Sequence, residues 1–203
     1  MSYYFTNDES LKSEVKKINV KINNLPFSFY TDNGVFSKKG LDFGTRTLLE
    51  SLTNIKGNVL DIGCGYGPIG IYVAKTFKTS VDMVDINKRS LDLSLKNAKL
   101  NNAIVNIFES NLYENVNKKY DFIITNPPIR VGKKILYQLL FEAKKYLNKD
   151  GELWLVINKD QGAKSVLKDL SLEYKTSIVT KNKGFYIIRA INDWHVDYIL
   201  IKL

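Results

Sequence analysis

A chain of 203 residues, 44% hydrophobic and 12% aromatic, is long enough for one domain with an appendage and can bury a full core. Its formal charge of +9 points to a polyanionic partner, and no stretch approaches the ~18 apolar residues of a membrane span. A single Cys and a single His exclude an internal disulfide and argue against a metal centre, and the polar start MSYYFTNDES lacks the apolar core of a secretion signal, so a cytoplasmic protein is expected.

Residues 18–31 (INVKINNLPFSFYT) alternate as a hairpin turning at Asn23-Asn24, and Asp32-Asn33-Gly34 then breaks it. Leu41, Thr45, Leu48, Leu49 and Leu52 recur at helical spacing, which predicts a helix from Leu41 to Leu52. Strand 58–62, helix 68–77, strand 80–84, helix 88–101, strands 104–108 and 120–125, helix 134–147 and strand 152–157 follow. Helix 161–170 and strands 173–180 and 184–190 close the series. Alternating strands and helices predict an α/β, doubly wound, mostly parallel sheet of seven strands with helices on both faces. The last two strands are joined only by Lys181-Asn182-Lys183, too short for a parallel crossover, so the sheet ends in an antiparallel hairpin. The expected layout is an N-terminal hairpin extension over 1–40, a main domain over 41–190 and a tail over 191–203.

Two stretches carry chemistry. In YDFIITNPPIRV (120–131) the prolines stop a strand, because neither donates to a ladder and both fix φ. The stop leaves the Asn126 side chain and the Asn126 and Pro127 carbonyls at the strand end, acceptors able to grip an NH₂ group and aim its lone pair. Taken alone, the stretch is equally an ordinary Asn-Pro turn. In NVLDIGCGYGPIG (58–70) a short apolar strand runs into a glycine turn, with Pro68 at the first turn of a helix. Gly65-Tyr66-Gly67-Pro68-Ile69-Gly70 fits a dinucleotide fingerprint, with Asp85 as its acid. The other parse is Asp61-Ile62-Gly63-Cys64-Gly65, an acidic strand end that would repel a pyrophosphate and attract a cationic ligand. Cys64 reads as a small filler of that turn. Around Asn126, residues 126–149 hold Arg130, Lys133, Lys134, Lys144, Lys145 and Lys149 against Glu142 alone.

Asp61-x-Gly63-x-Gly65-x-Gly67, Asp85 ending a second strand and Asn126-Pro127-Pro128 ending a fourth resemble a class I S-adenosylmethionine-dependent methyltransferase. More narrowly, GVFSKKGLDFGTRTLL (34–49), LDIGCGYGPIG (60–70), TNPPIRVGKK (125–134), GELWLVINKDQGA (151–163) and KGFYIIRA (183–190) resemble the small-subunit ribosomal RNA guanine-N2 methyltransferases and their short single-domain relatives, over residues 18–190. The resemblance implies S-adenosyl-L-methionine as cofactor and small-subunit ribosomal RNA, or the subunit itself, as partner, for a monomer or homodimer. It places Gly63, Gly65, Tyr66 and Gly67 under the methionine part of the cofactor, Asp61 near its amino group, Asp85 on the ribose hydroxyls, and Ile86 and Asn111 at the adenine. Phe36 would close over the cofactor. Asn126, Pro127 and Pro128 would form the catalytic corner beside it, because the family's sheet sets its first and fourth strands side by side. Lys38, Lys39, Arg130, Lys133 and Lys134, with Lys181 and Lys183, would dock RNA.

The chain departs from wider relatives in two ways. Ile129 stands where adenine- and glutamine-directed relatives carry an aromatic ring, and the duplicate N-terminal domain of the longer ribosomal enzymes is missing. Methylation of adenine N6 or of a protein glutamine amide is the alternative activity. A nicotinamide oxidoreductase is weakened by Asp61 and the closing hairpin, and a non-catalytic RNA-binding or ribosome assembly factor is the alternative outside enzymes.

Overall fold

The structure, a computed structural model, describes residues 12–35, 37, 40–129 and 132–193. It opens on a hairpin of β1 (Lys16–Ile22) and β2 (Leu25–Thr31). Asn23 (φ 46°) and Asn24 (φ 63°) both take the left-handed conformation, the two-residue turn whose twist matches the strands and which Asn tolerates better than most residues. Helix α1 (Phe43–Ser51) starts at Asp42, whose side chain accepts from the Thr45 N–H at 3.0 Å.

Then come β3 (Asn58–Ile62), α2 (Pro68–Phe77), β4 (Ser80–Asp85) and α3 (Lys88–Leu100). They are followed by β5 (Asn106–Glu109), β6 (Tyr120–Thr125), α4 (Lys133–Tyr146) and β7 (Leu147–Asn158). A 3₁₀ turn at Lys159–Gln161 leads to α5 (Ala163–Leu170), β8 (Lys175–Asn182) and β9 (Phe185–Ile191). Among the described residues no helix is long and apolar enough to cross a membrane.

The seven later strands form one sheet in the order β5-β4-β3-β6-β7-β9-β8. The first five of that order are mutually parallel, and β9 runs antiparallel to both β7 and β8. This is the doubly wound sheet with a closing antiparallel hairpin that the sequence predicts. Alternate side chains of β3 serve opposite faces. Val59 joins Leu48, Leu49, Ile71 and Tyr72 on one side, while Leu60 and Ile62 join Leu136, Leu139 and Leu140 on the other. Asp61 shares the Val59 face, beneath α2. Each such apolar side chain, once buried, contributes about 1.5–3 kcal/mol, which holds both strand ends in place for the site.

The structure corrects two details of the sequence reading. Strand β7 begins at Leu147 rather than at 152, because Leu147 pairs with Tyr120 before the register shifts and resumes at Phe122 and Glu152. The polar Asn148–Gly151 stretch looks like a plain turn, yet its backbone is paired across to Asn192: Asp150 N–H donates to Asn192 at 3.1 Å and Asn192 N–H to Gly151 at 2.8 Å. The last hairpin turns at Lys183 (φ 44°) and Gly184 (φ 83°), not over Lys181–Lys183, since two left-handed residues allow both strands to run on.

Hairpin β1–β2 is held against α3 by two asparagines four residues apart. Asn97 Oδ1 accepts from Tyr30 N–H at 2.6 Å, and its Nδ2 donates to the carbonyls of Tyr30 (2.9 Å) and Tyr66 (2.8 Å). Asn101 does the same for Ser28, at 3.2 and 2.7 Å. These side chains act as a partner strand for β2, and Asn97 also fastens the loop after β3. Asn97 is fully buried. Asn97→Leu keeps the volume but strands three backbone groups, at ~1–3 kcal/mol each where they stay dry. Chemical denaturation should therefore show a loss of at least ~2 kcal/mol. A loss within ~0.5 kcal/mol would mean that water replaces the amide at no cost.

Candidate active site

The loop after β3 is built on glycines with two different jobs. Gly63 (φ 73°), Gly65 (φ 56°) and Gly67 (φ 97°) all require the left-handed region. The N–H groups of Gly63 and Cys64 both donate to the Val84 carbonyl at 2.9 Å, tying the loop to β4. A Cβ added at Gly63 or Gly65 would meet nothing within 4 Å, so the loop presents an open floor there. At Gly67 it would lie 2.9 Å from Ile71 and Met83 side-chain atoms, and at Gly70 2.5 Å from Met83 Cγ. Those two glycines let α2 settle against β4.

Asp61 is fully buried. Its Oδ2 accepts the Gly70 N–H at 2.8 Å, while Oδ1 is buried without a hydrogen-bond partner among the described residues. Burial pushes the Asp61 carboxyl up to about 7, with the Gly70 N–H opposing and the Asp85 charge adding to the rise. Asp85 ends β4 and is half-buried. Its Oδ2 accepts from Gly65 N–H and its Oδ1 from Asn87 N–H, both at 2.8 Å. Burial raises the Asp85 carboxyl, against the N–H groups of Asn87, Gly65 and Ile86, which lower it. With about four lone-pair sites and three N–H donors, the Asp85 carboxylate has room for a further donor. Ile86 beside it is 36% exposed.

The second half of the site is at the end of β6. Thr125 is fully buried, and its Oγ1 donates to the Ile62 carbonyl at 2.8 Å. That bond joins the last residue of β6 to the last residue of β3, so Asn126 and the glycine loop start from one point although some sixty residues apart in sequence. Asn126 is half-buried and its Nδ2 donates to Thr45 Oγ1 at 2.9 Å. Pro127 is buried, Pro128 is half-buried, and Ile129 packs against the core on the α4 side.

The remaining predicted residues fall into three groups. Tyr66 turns its ring edge-on to Phe29 at 5.7 Å and belongs to the core, and its buried hydroxyl has no partner among the described residues. Asn111 is exposed beyond β5, its carbonyl accepting from Glu114 N–H, while Ser110 N–H bonds the Asp85 carbonyl at 3.0 Å and keeps that segment beside β4. Lys133 and Lys134 open α4, both exposed, with Lys133 Nζ 4.7 Å from the Tyr137 ring centre. On the closing hairpin Lys181 stands over Tyr186 at 4.8 Å and Lys183 over Phe43 at 5.0 Å. Phe36, Lys38, Lys39 and Arg130 lie outside the described residues, as does the tail from residue 194. Among the described residues no group of three or more His, Cys, Asp or Glu is gathered to hold a metal.

A model of the methyltransferase small domain matches residues 26–189. The chain belongs to this family. It is an S-adenosylmethionine-dependent methyltransferase. A Bacillus subtilis relative, described as uncharacterized protein YbxB, is 43% identical over 195 residues, covering 93% of this chain and 97% of that protein. Ribosomal RNA small subunit methyltransferase C of Colwellia psychrerythraea is 33% identical over 187 residues, covering 89% of this chain and 52% of that one. The structure of the T. thermophilus 16S rRNA N2 G1207 methyltransferase, in complex with AdoMet and guanosine, superposes with a TM-score of 0.79 at 23% identity. It covers 90% of this chain and 52% of its own, and shows the fold. This methyltransferase thus spans about half the length of both the Colwellia relative and the T. thermophilus chain.

The site suits the cofactor. An open glycine floor, an unpartnered carboxylate oxygen and a second carboxylate with room for a further donor fit a cationic ligand that carries hydroxyls. They do not fit a pyrophosphate. Asp85→Ala is expected to weaken cofactor binding at least tenfold, because hydrogen bonds to a charged acceptor contribute ~1.5–3 kcal/mol and Gly65 loses its anchor as well. Isothermal calorimetry checks this, and an unchanged Kd would remove Asp85 from the site.

Proposed function

We propose that this methyltransferase acts on an exocyclic amino group, N2 of a guanine in small-subunit ribosomal RNA. The observation that supports the proposal is the Thr125–Ile62 bond, which starts Asn126 and the loop of Gly63 and Gly65 from one point at the strand ends. A corner of acceptors next to a methyl-donor site is the arrangement that methylation of an NH₂ group needs.

Each residue then has a role. Asp61 Oδ1 takes the cofactor's amino group, directly or through water. Gly63 and Gly65 let the cofactor lie close to the backbone. Asp85 takes the ribose hydroxyls, with Ile86 and Asn111 toward the adenine. The bound cofactor supplies a methyl group already activated on a sulfonium. Asn126 Oδ1 and the Pro127 carbonyl accept the two amine hydrogens and turn the nitrogen lone pair toward that methyl. The N–C bond forms as C–S breaks, and the surplus N–H proton passes to water. Orientation supplies most of the rate, because the guanine amine is delocalised into its ring and gains from being held in line.

Two features favour guanine in RNA. Ile129, partly buried against the core, offers no ring on which a flipped adenine would stack. Lys133 and Lys134 sit on α4 just after the corner, and Lys181 and Lys183 on the neighbouring hairpin, as a cationic rim for phosphates. A ribosomal substrate would place the enzyme in the cytoplasm. Charge reversal at Lys133 and Lys134 is expected to weaken RNA binding and to flatten its salt dependence by up to ~0.9 in log–log slope per lost contact, with cofactor affinity unchanged. An unaltered slope would make them a solvated face only.

The proposal is tested by incubating small subunits and naked RNA from a deletion strain with methyl-labelled cofactor, followed by nucleoside mass spectrometry. Labelled N2-methylguanosine is the expected product. Label in N6-methyladenosine or in protein glutamine would transfer the activity to the alternative substrate, and no label in any fraction would favour a binding factor.

A further inference from the structure

The amide of Asn126 is held by a directional chain of three side chains. Asp42, the N-cap of α1, accepts the Thr45 N–H on Oδ1 at 3.0 Å and bonds the Thr45 hydroxyl through Oδ2. Thr45 is 3% exposed, and its Oγ1 is 2.9 Å from Asn126 Nδ2. The chemistry of the chain permits one orientation. Asp42 Oδ2 accepts from the Thr45 hydroxyl, whose single proton is thereby used. Toward Asn126, Thr45 can then only accept. Asn126 must therefore present its NH₂ to Thr45, and its Oδ1 is the amide atom left to face a ligand. The O/N assignment of a side-chain amide, elsewhere a matter of inference, follows here from proton counting.

We infer that Asp42 and Thr45 are positioning residues for the methyl transfer: through this chain they lock the Asn126 amide with its acceptor oxygen toward the target amine. The inference rests on the proposed role of Asn126. Without the chain the amide can flip and offer NH₂ to NH₂, which repels the target and misaligns its lone pair. Sequence reading places Thr45 on the buried face of its helix, and that is correct for its methyl group. The hydroxyl does separate work across a sequence distance of 81 residues.

Two variants test the inference. Thr45→Val removes both the hydroxyl proton and the acceptor while keeping the shape. Asp42→Asn keeps the N-cap, since Asn caps as well as Asp, but its NH₂ can donate to Thr45, which frees the Thr45 proton to point at Asn126. Two readouts are taken on the full chain. In side-chain amide NMR, one Asn126 Nδ2 proton, assigned by its loss in Asn126→Ala, should exchange slowly in wild type and in Thr45→Ser, and rapidly in Thr45→Val. In single-turnover transfer at saturating cofactor and RNA, Thr45→Val and Asp42→Asn should each lose at least ~10-fold in rate with the Kd for S-adenosylhomocysteine unchanged, and Thr45→Ser should recover most of the rate. Unchanged amide exchange in Thr45→Val would overturn the inference, as would a rate within threefold of wild type in both variants. The NMR arm needs no activity, so it decides the chain even where wild type methylates nothing and only the substrate proposal fails.

Discussion

Asn126→Ala is expected to lower the single-turnover rate of methyl transfer by ~10²–10³ while leaving the fold and the cofactor Kd nearly unchanged, by analogy with removal of one preorganised donor from an oxyanion hole. The expected split follows from where Asn126 sits. Its backbone comes directly after the Thr125–Ile62 bond, and its side chain bonds only Thr45 among the described residues. Removing the amide therefore frees Thr45 Oγ1 but breaks none of the glycine-loop contacts. Binding loses little, and what disappears is the acceptor that orients the amine as it attacks, a gain realised mainly in the transition state. Asn126→Asp restores an acceptor but loses the NH₂ that Thr45 holds and adds a charge in a half-buried corner, so it should recover only part of the rate. An Asn126→Ala enzyme within threefold of wild type would reduce the corner to a turn.

The second large effect is on pH. Asp61 is held at about 7, chiefly by burial, so in the empty enzyme it is neutral below that value and charged above it. A cationic amino group binds the charged form. Cofactor affinity should therefore fall as pH drops through 7, approaching tenfold per unit on the acid side. The same displacement affects folding with a definite sign. An acid whose pKa is raised on folding costs stability once it must ionise, so its cost is absent below the ordinary range near 3.8 and complete above about 7. The empty enzyme should lose stability through that window as pH rises, and bound cofactor should restore it. Asp61→Asn should bind at least ~10-fold more weakly at pH 8, with a flat profile between pH 6 and 8 and without the loss of stability as pH rises from 3.8 to about 7. Asp85 is also raised, and the Asp61→Asn control separates the two. Cys64 does not interfere, because burial raises its thiol and keeps it neutral. S-adenosylhomocysteine is the ligand of choice, since it keeps the amino group. A flat wild-type profile would remove Asp61 from contact with that group.

What could be read from the chain before folding was whatever repeats locally. Alternation at a period of two located the first hairpin, short apolar runs located the strands before the glycine turn and before Asn126, and prolines at 68 and 127–128 marked where a helix starts and a strand stops. Sequence also singled out both halves of the candidate site, Asp61 to Gly67 and Asn126, because each is a short run with unusual backbone demands. It treated Gly67 like Gly63 and Gly65, since nothing local says which glycine faces open space and which faces Met83. It grouped Tyr66 with the glycines under the cofactor, and its ring packs edge-on to Phe29 of the hairpin. Thr45 read as a position on the buried face of its helix, and Asp42 as a residue inside that helix rather than its cap. Their further link to Asn126 depends on α1 lying across the end of β6, and no spacing within the chain records that. Asn97 was invisible for the same reason: a polar residue on an amphipathic helix reads as solvent-facing until a second strand edge arrives to meet it.

The central claim is that donor and amine meet between Asp61 and Asn126. It is tested most directly by a crystal structure of this chain with S-adenosylhomocysteine and guanosine. The account predicts the cofactor amino group at Asp61, its ribose on Asp85, and guanine N2 within ~3.2 Å of Asn126 Oδ1, with Nδ2 still on Thr45. Guanosine bound with N2 turned away from Asn126, or the cofactor seated away from Gly63 and Gly65, would contradict it.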